Sequence, residues 1–311
     1  MQITTHNQQT NNGLYQMALE NVEANQLRIR YKADSDELRK NGYVVSTIEI
    51  DSILPPTPTD TGFVRNDEIP LTALNLVSYC TALGVYPVVY EGENEGKLLR
   101  HVVPKKGLET QISSYGSNET FFPHVDNPDL RLREEQQFSN VPTYIPDSLT
   151  LLCLRQQKGV ATSIVLLADV LADLTEEDKA LLEEPAFSIK RPASFSGASI
   201  SVNVPLIMKC SDGSYISRFD YHNVETSSPK HQPVLEKFRQ SAIDQNKWIS
   251  LYLEPGQVVT FDNQKTLHTR NGFKANFDGN DRWLIRLFGT YEKPTSEYFV
   301  STECNHHLKT Q

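Results

Sequence analysis

Along most of the chain, apolar and polar positions alternate over short stretches, and turn-forming residues separate those stretches. Tyr43-Val-Val-Ser-Thr-Ile-Glu-Ile50 is rich in β-branched residues and reads as a strand. The same signature recurs over residues 148–154, 161–167, 187–190, 200–209, 215–220, 248–253 and 257–261, with Asp212-Gly and Glu254-Pro-Gly as turns. Residues 111–126 read as mostly extended. Helical spacing is confined to fewer places. Leu71, Leu74, Leu76, Val77 and Cys80 predict a packed helix over residues 70–83, with Pro70 at its first position. Thr175 stands three before Asp178, near the capping-box pattern, and opens a second helix. Val234, Leu235, Phe238 and Ile243 predict a third over residues 232–246, while residues 13–40 are helix-like but irregular. Leu54-Pro-Pro-Thr-Pro-Thr-Asp-Thr-Gly62 cannot continue a strand, because proline removes ladder donors, and is expected to form a loop or lid. Many short strands with Gly and Pro turns predict a mainly β fold, a sandwich or barrel with flanking helices.

Composition narrows this. The 311 residues show no internal repeat and no linker between about 40 and 295, so a single domain over residues 13–295 is expected. A Gln/Asn/Thr-rich tail, residues 1–12, would precede it as a frayed, disordered end, and an exposed tail, residues 296–311, would follow, with His306 and His307 facing solvent. The formal net charge of -9 argues against a nucleic-acid partner but leaves room for a local anion site. Cys80, Cys153, Cys210 and Cys304 are far apart, so neither a zinc ribbon nor a disulfide framework is suggested. With no apolar leader and no run of about 18 apolar residues, a soluble cytoplasmic protein with no membrane partner is expected. Homo-oligomerisation is left open. The acidic run Glu91-Gly-Glu-Asn-Glu95 reads, by its charge, as a solvated turn.

Candidate chemistry centres on three polar patches. Phe121-Phe-Pro-His124-Val-Asp126 places a histidine and a carboxylate two apart, on one face of an extended segment. His268, remote in sequence, could close a three-ligand site. Two imidazoles and one carboxylate with open positions suit a non-haem Fe(II) oxygenase. On the strand that follows, Arg282 and Arg286 lie four apart on one face with Leu284 between them, and two guanidinium groups there require anions. A His-x-Asp pair alone is weak evidence of a metal. A hydrolytic zinc enzyme could use the same three ligands, and a jelly-roll binding protein could keep the fold without the chemistry.

His124-Val-Asp126, Pro146-Asp-Ser-Leu-Thr-Leu-Leu-Cys-Leu-Arg155, Gly159-Val-Ala-Thr162, and the block from Asp262-Asn-Gln-Lys-Thr-Leu-His268-Thr-Arg-Asn-Gly-Phe to Asp278-Gly-Asn-Asp-Arg282-Trp-Leu-Ile-Arg286 together resemble a known family. It is the 2-oxoglutarate-dependent non-haem iron dioxygenases of the clavaminate synthase and taurine dioxygenase superfamily. The resemblance spans roughly residues 85–291 and is strongest to the free L-amino-acid hydroxylases. It implies a double-stranded β-helix, a cupin-like jelly roll, with Fe(II) held by His124, Asp126 and His268. Arg282 would grip the distal carboxylate of 2-oxoglutarate, a bidentate pairing that fixes orientation as well as charge, and Thr162 would add a hydroxyl. With O2, the co-substrate would be converted to succinate and CO2 as a C–H bond is hydroxylated. Asp126 favours hydroxylation over halogenation, since halogenating relatives lack a carboxylate there, although several amino-acid hydroxylases carry Glu at this position.

The resemblance also bears on the substrate. Arg286 matches the arginine that holds an α-carboxylate, and Asp220 the acidic residue that reads the side-chain end. Glu93 could take the α-ammonium, and Ser114 could line the pocket. A free basic L-amino acid, lysine or arginine, hydroxylated at C3 or C4, is therefore expected. The alternative within the same chemistry is an oxygenase that tailors a carrier-bound or larger amino-acid derivative.

Overall fold

The structure, a computed structural model, describes residues 10–111, 115–135, 144–191 and 200–310. Thr10 caps α1 (Asn11–Ala24) by accepting a hydrogen bond from the Gly13 N–H at 3.1 Å. The irregular spacing that follows resolves into two further short helices, α2 (Leu27–Arg30) and α3 (Lys32–Asn41), whose Leu27 and Leu38 turn inward with Leu14, Ala18 and Val22 of α1. Gly42, in the left-handed region at φ 80°, stops α3 and releases the chain into β1 (Tyr43–Thr47). The proline-rich stretch then leads to α4 (Pro70–Ala82), which carries Pro70 at its start as expected. After it come β2 (Tyr86–Tyr90), β3 (Arg100–Val102), β4 (Phe121–His124), β5 (Ser148–Arg155) and β6 (Thr162–Leu166).

Two short helices, α5 (Leu167–Leu171) and α6 (Glu176–Leu182), interrupt the strands, and the Thr175–Asp178 capping box forms at the start of α6. The middle of the chain contributes β7 (Phe187–Lys190), β8 (Ile200–Val204), β9 (Ile207–Lys209), β10 (Tyr215–Ser217), β11 (Val224–Glu225) and α7 (Gln232–Ile243). The last part gives β12 (Ile249–Leu251), β13 (Gln257–Asp262), β14 (Thr266–Arg270), β15 (Trp283–Thr290) and β16 (His307–Leu308).

Among the described residues a larger sheet runs β1-β13-β5-β15-β2-β16, with β3 also on β15, and a smaller one runs β12-β6-β14-β4. Period-two alternation divides β5 and β15 between two apolar cores. Leu149, Leu151, Leu284 and Phe288 join Ile164 and Leu267 of the smaller sheet in one core. Leu152, Leu154, Ile285 and Leu287 face the other way and join Leu14, Leu76 and Val77 of the helices. This is the expected β fold with flanking helices: two sheets face to face and a helical layer behind the larger one.

Three expectations are corrected. Residues 200–209 do not form one strand: Pro205 cannot donate to a ladder, and β8 and β9 join different sheets on either side of it. Residues 296–311 do not form an exposed tail. β16 pairs parallel with β2, and His306 is 1 % exposed, stacked on Tyr86 at 4.8 Å with its Nδ1 donating to the Pro87 carbonyl at 2.7 Å. The stretch carries few apolar residues, and it is held by backbone pairing and by the buried side chains of Phe299, His306 and Leu308. The N-terminal tail is shorter than expected, since Asn11 Nδ2 donates to the Gly96 carbonyl at 2.7 Å and residues 10–12 belong to the fold; residues 1–9 lie outside the described residues.

Candidate active site

β4 and β14 are antiparallel neighbours in the smaller sheet, and their register sets His124 opposite His268. The two imidazole centroids are therefore 4.0 Å apart. The chain leaves β4 after His124, and Asp126 projects back to the same side, its two oxygens 3.8 Å from His124 Nε2 and 3.7 Å from His268 Nε2. One ligand atom from each residue lies within 4.8 Å of the others, so His124, Asp126 and His268 could hold a metal ion.

Their local chemistry fits such an ion. His124 Nδ1 donates to the Phe122 carbonyl at 2.8 Å, which leaves Nε2 as the acceptor nitrogen, and that atom is buried with no hydrogen-bond partner. Burial, reinforced by the neighbouring His124, pushes His268 well below the ordinary histidine range, so its ring is neutral. Burial raises the Asp126 carboxyl to about 6, against the opposing pull of His124 and Arg100. A buried carboxyl group and two imidazoles thus converge on one point, with His124 Nε2 free of any competing hydrogen bond.

The arginines surround it. Arg282, immediately before β15, donates from Nη2 to Thr162 Oγ1 at 2.9 Å; burial lowers its guanidinium to about 10, still charged at neutral pH. Arg286 reaches Asp126 Oδ2 from Nη1 at 3.2 Å, and its Nη2 is ion-paired with Glu93 Oε1. Glu93 is 3 % exposed, so the acidic run around it is not simply a solvated turn, and its Oε2 has no hydrogen-bond partner. Glu93 and Arg100 line a cavity of about 560 Å³ together with Thr61, Phe63, Lys97 and Tyr115.

Asp220 is bridged through its backbone to His124 and is buried. Its Oδ1 accepts from the backbone N–H groups of His222 and Asn223 at 2.9 and 3.2 Å, and its Oδ2 from Asn223 Nδ2 at 2.8 Å, so the side chain also caps its own turn. Ser114 lies outside the described residues.

The sequence reading missed two groups. Arg100 sits directly across from Arg286 in the β3–β15 register, buried, its guanidinium 4.9 Å above the Tyr115 ring. A charged residue inside the apolar run Leu98 to Val103 was the available signal. Asn263 is fully buried and bonds the backbone of Asp126. Its signal was a polar Asp-Asn-Gln triplet directly after a strand with an apolar core face.

Residues 61–288 match the family model for the taurine catabolism dioxygenase TauD, TfdA family. Enduracididine beta-hydroxylase from Streptomyces hygroscopicus is 30 % identical over 266 residues, covering 76 % of this chain and 72 % of that enzyme. L-asparagine oxygenase from Streptomyces coelicolor is 31 % identical over 252 residues, 79 % of this chain and 69 % of the enzyme. L-lysine 3-hydroxylase from Catenulispora acidiphila is 27 % identical over 243 residues, 76 % of this chain and 63 % of the enzyme. Among solved structures, asparagine oxygenase in complex with Fe(II), 2S,3S-3-hydroxyasparagine and succinate superposes with a TM-score of 0.78 at 24 % identity, covering 92 % of this chain and 85 % of that one. These neighbours share the double-stranded β-helix formed here by the two facing sheets. The chain belongs to the TauD/TfdA dioxygenase family and is an Fe(II)- and 2-oxoglutarate-dependent hydroxylase that uses O2.

Proposed function

We propose that this enzyme hydroxylates a free L-amino acid with a basic side chain, lysine or arginine first among them, at C3. The observation that carries the reading is the buried Arg286–Glu93 pair beside Asp126. A guanidinium and a carboxylate in contact neutralise one another, and an amino-acid zwitterion can part them, its α-carboxylate on Arg286 and its α-ammonium on Glu93. One buried ion pair becomes two, so no charge is stranded in low dielectric. A single acid or a single amine would leave one partner uncompensated.

In this reading His124, Asp126 and His268 hold Fe(II), and Arg282 with Thr162 holds the distal carboxylate of 2-oxoglutarate. The bound iron supplies the redox chemistry that couples 2-oxoglutarate decarboxylation to C–H hydroxylation. The protein's own residues bind and aim. Arg286 bridges the substrate site and the metal ligand Asp126, so a substrate anchored by its α-groups presents the carbons nearest them. The relatives named for 3-hydroxylation of lysine and for β-hydroxylation of enduracididine support C3, and the lysine enzyme supports a basic side chain. Asp220, bridged to His124, stands as the carboxylate for the cationic end, held in place by its turn hydrogen bonds.

The test is succinate release by Fe(II)-loaded enzyme with 2-oxoglutarate and O2 across the L-amino acids, with mass spectrometry for one added oxygen and NMR for its position. Lysine or arginine should stimulate turnover and return the 3-hydroxy product. Slow 2-oxoglutarate decarboxylation that no free amino acid accelerates would overturn the substrate assignment.

A further inference from the structure

We infer that Asn263 is a positioning residue for iron, acting through the backbone of Asp126; this rests on the reading of Asp126 as an iron ligand. β4 ends at His124, and Asn127 turns away at φ 58°, so Asp126 lies beyond the regular strand, where a ladder no longer supplies partners for its peptide groups. A buried N–H and C=O must still be satisfied. The Asn263 carboxamide satisfies both: Oδ1 accepts from the Asp126 N–H at 3.1 Å, and Nδ2 donates to the Asp126 carbonyl at 3.2 Å. A side-chain amide has the donor and acceptor of a peptide unit side by side, so Asn263 stands in for one residue of a partner strand.

The other end of this clamp is firmly held. Asn263 Nδ2 also donates to the Pro146 carbonyl at 3.1 Å, and the Asn263 N–H to the Asp147 carbonyl at 2.8 Å. On either side of that contact, Arg133 joins Asp147 and Asp262, its Nη1 3.2 Å from one and its Nη2 2.9 Å from the other. Asn263 therefore belongs to the start of β5 and the end of β13 in the larger sheet, while Asp126 follows β4 in the smaller one. The clamp crosses from sheet to sheet and fixes the carboxylate relative to both imidazoles. His268 follows Asn263 by five residues, on β14, so the segment that crosses from the larger sheet to the smaller one positions two of the three ligands.

Groups that hold metal ligands in place typically change metal affinity about tenfold to a hundredfold when removed. Anaerobic titration with Fe(II) against a competing chelator should give Asn263→Ala a Kd weaker by about that factor. The rise in unfolding temperature that Fe(II) produces should shrink in parallel. Asn263→Ser, which can replace one of the two bonds, should fall between Ala and the native residue, and it serves as the test if the alanine variant does not fold. A folded Asn263 variant with the native Kd and the native Fe(II)-induced rise, even with a lower unfolding temperature for the iron-free protein, would overturn the inference. Asp126→Ala separates the two claims: loss of Fe(II) binding there with none in Asn263→Ala removes only the clamp, whereas native binding by Asp126→Ala removes the ligand reading beneath it.

Discussion

Thr162 Oγ1 accepts a hydrogen bond from the Arg282 guanidinium at 2.9 Å, and both groups are almost fully buried. Thr162→Val keeps the shape and strands one charged donor, a loss of about 1.5–3 kcal/mol for a bond to an ionised group. The 2-oxoglutarate KM should rise about tenfold or more, with kcat little changed, in steady-state assays. Glu93→Gln should raise the amino-acid KM more than about tenfold, because the neutral amide no longer balances an ammonium in a dry site; slow decarboxylation of 2-oxoglutarate without substrate should persist. Glu93 also shows where sequence reasoning stops. Its neighbours form an acidic run whose bland reading is a solvated turn, and only the pairing of β2 and β3 with the rest of the larger sheet carries this one member inward to Arg286. The three residues that could hold a metal were legible because their types and spacing reflect that chemistry directly. Asn263 was not, since a residue that serves another's backbone carries no chemical signature of its own.

The elements were legible where pattern and length agreed, as in α4, α7 and the long strands β5 and β15. β16 escaped because a two-residue strand has no period. It is secured partly by His306, whose burial pulls the imidazole down to about 4 from 6.5. The folded state prefers the neutral ring, so its contribution is complete above about pH 6.5 and is lost as pH falls toward 4, about 3 kcal/mol in all. The exchange protection factor of the Val89 amide, which donates to the His306 carbonyl at 2.8 Å, should fall over that window, and His306→Phe should make the protection factor independent of pH there. Gly289 makes a second element-scale case. A Cβ there would meet Val85 Cγ1 at 2.0 Å, where β15 runs against the start of β2. Gly289→Ala should cost about 1–3 kcal/mol in denaturant melts.

At the scale of the molecule, the larger sheet is a wall between two cores, and the helical layer is as much a part of that wall as the facing sheet. Deleting residues 10–41 would uncover the apolar surface that Leu14, Val22 and Leu38 cover, and the shortened chain should lose its cooperative thermal transition by circular dichroism. The wall also divides labour along β15. Leu284, Arg286 and Phe288 face the chamber shared with the smaller sheet, while Ile285 and Leu287 face the helices. A mutant library that seeks new substrates can therefore be restricted to the even-numbered positions. Stabilising changes to compensate for its damage can be drawn from the odd-numbered ones behind them, so that selectivity and robustness are evolved on opposite sides of one strand.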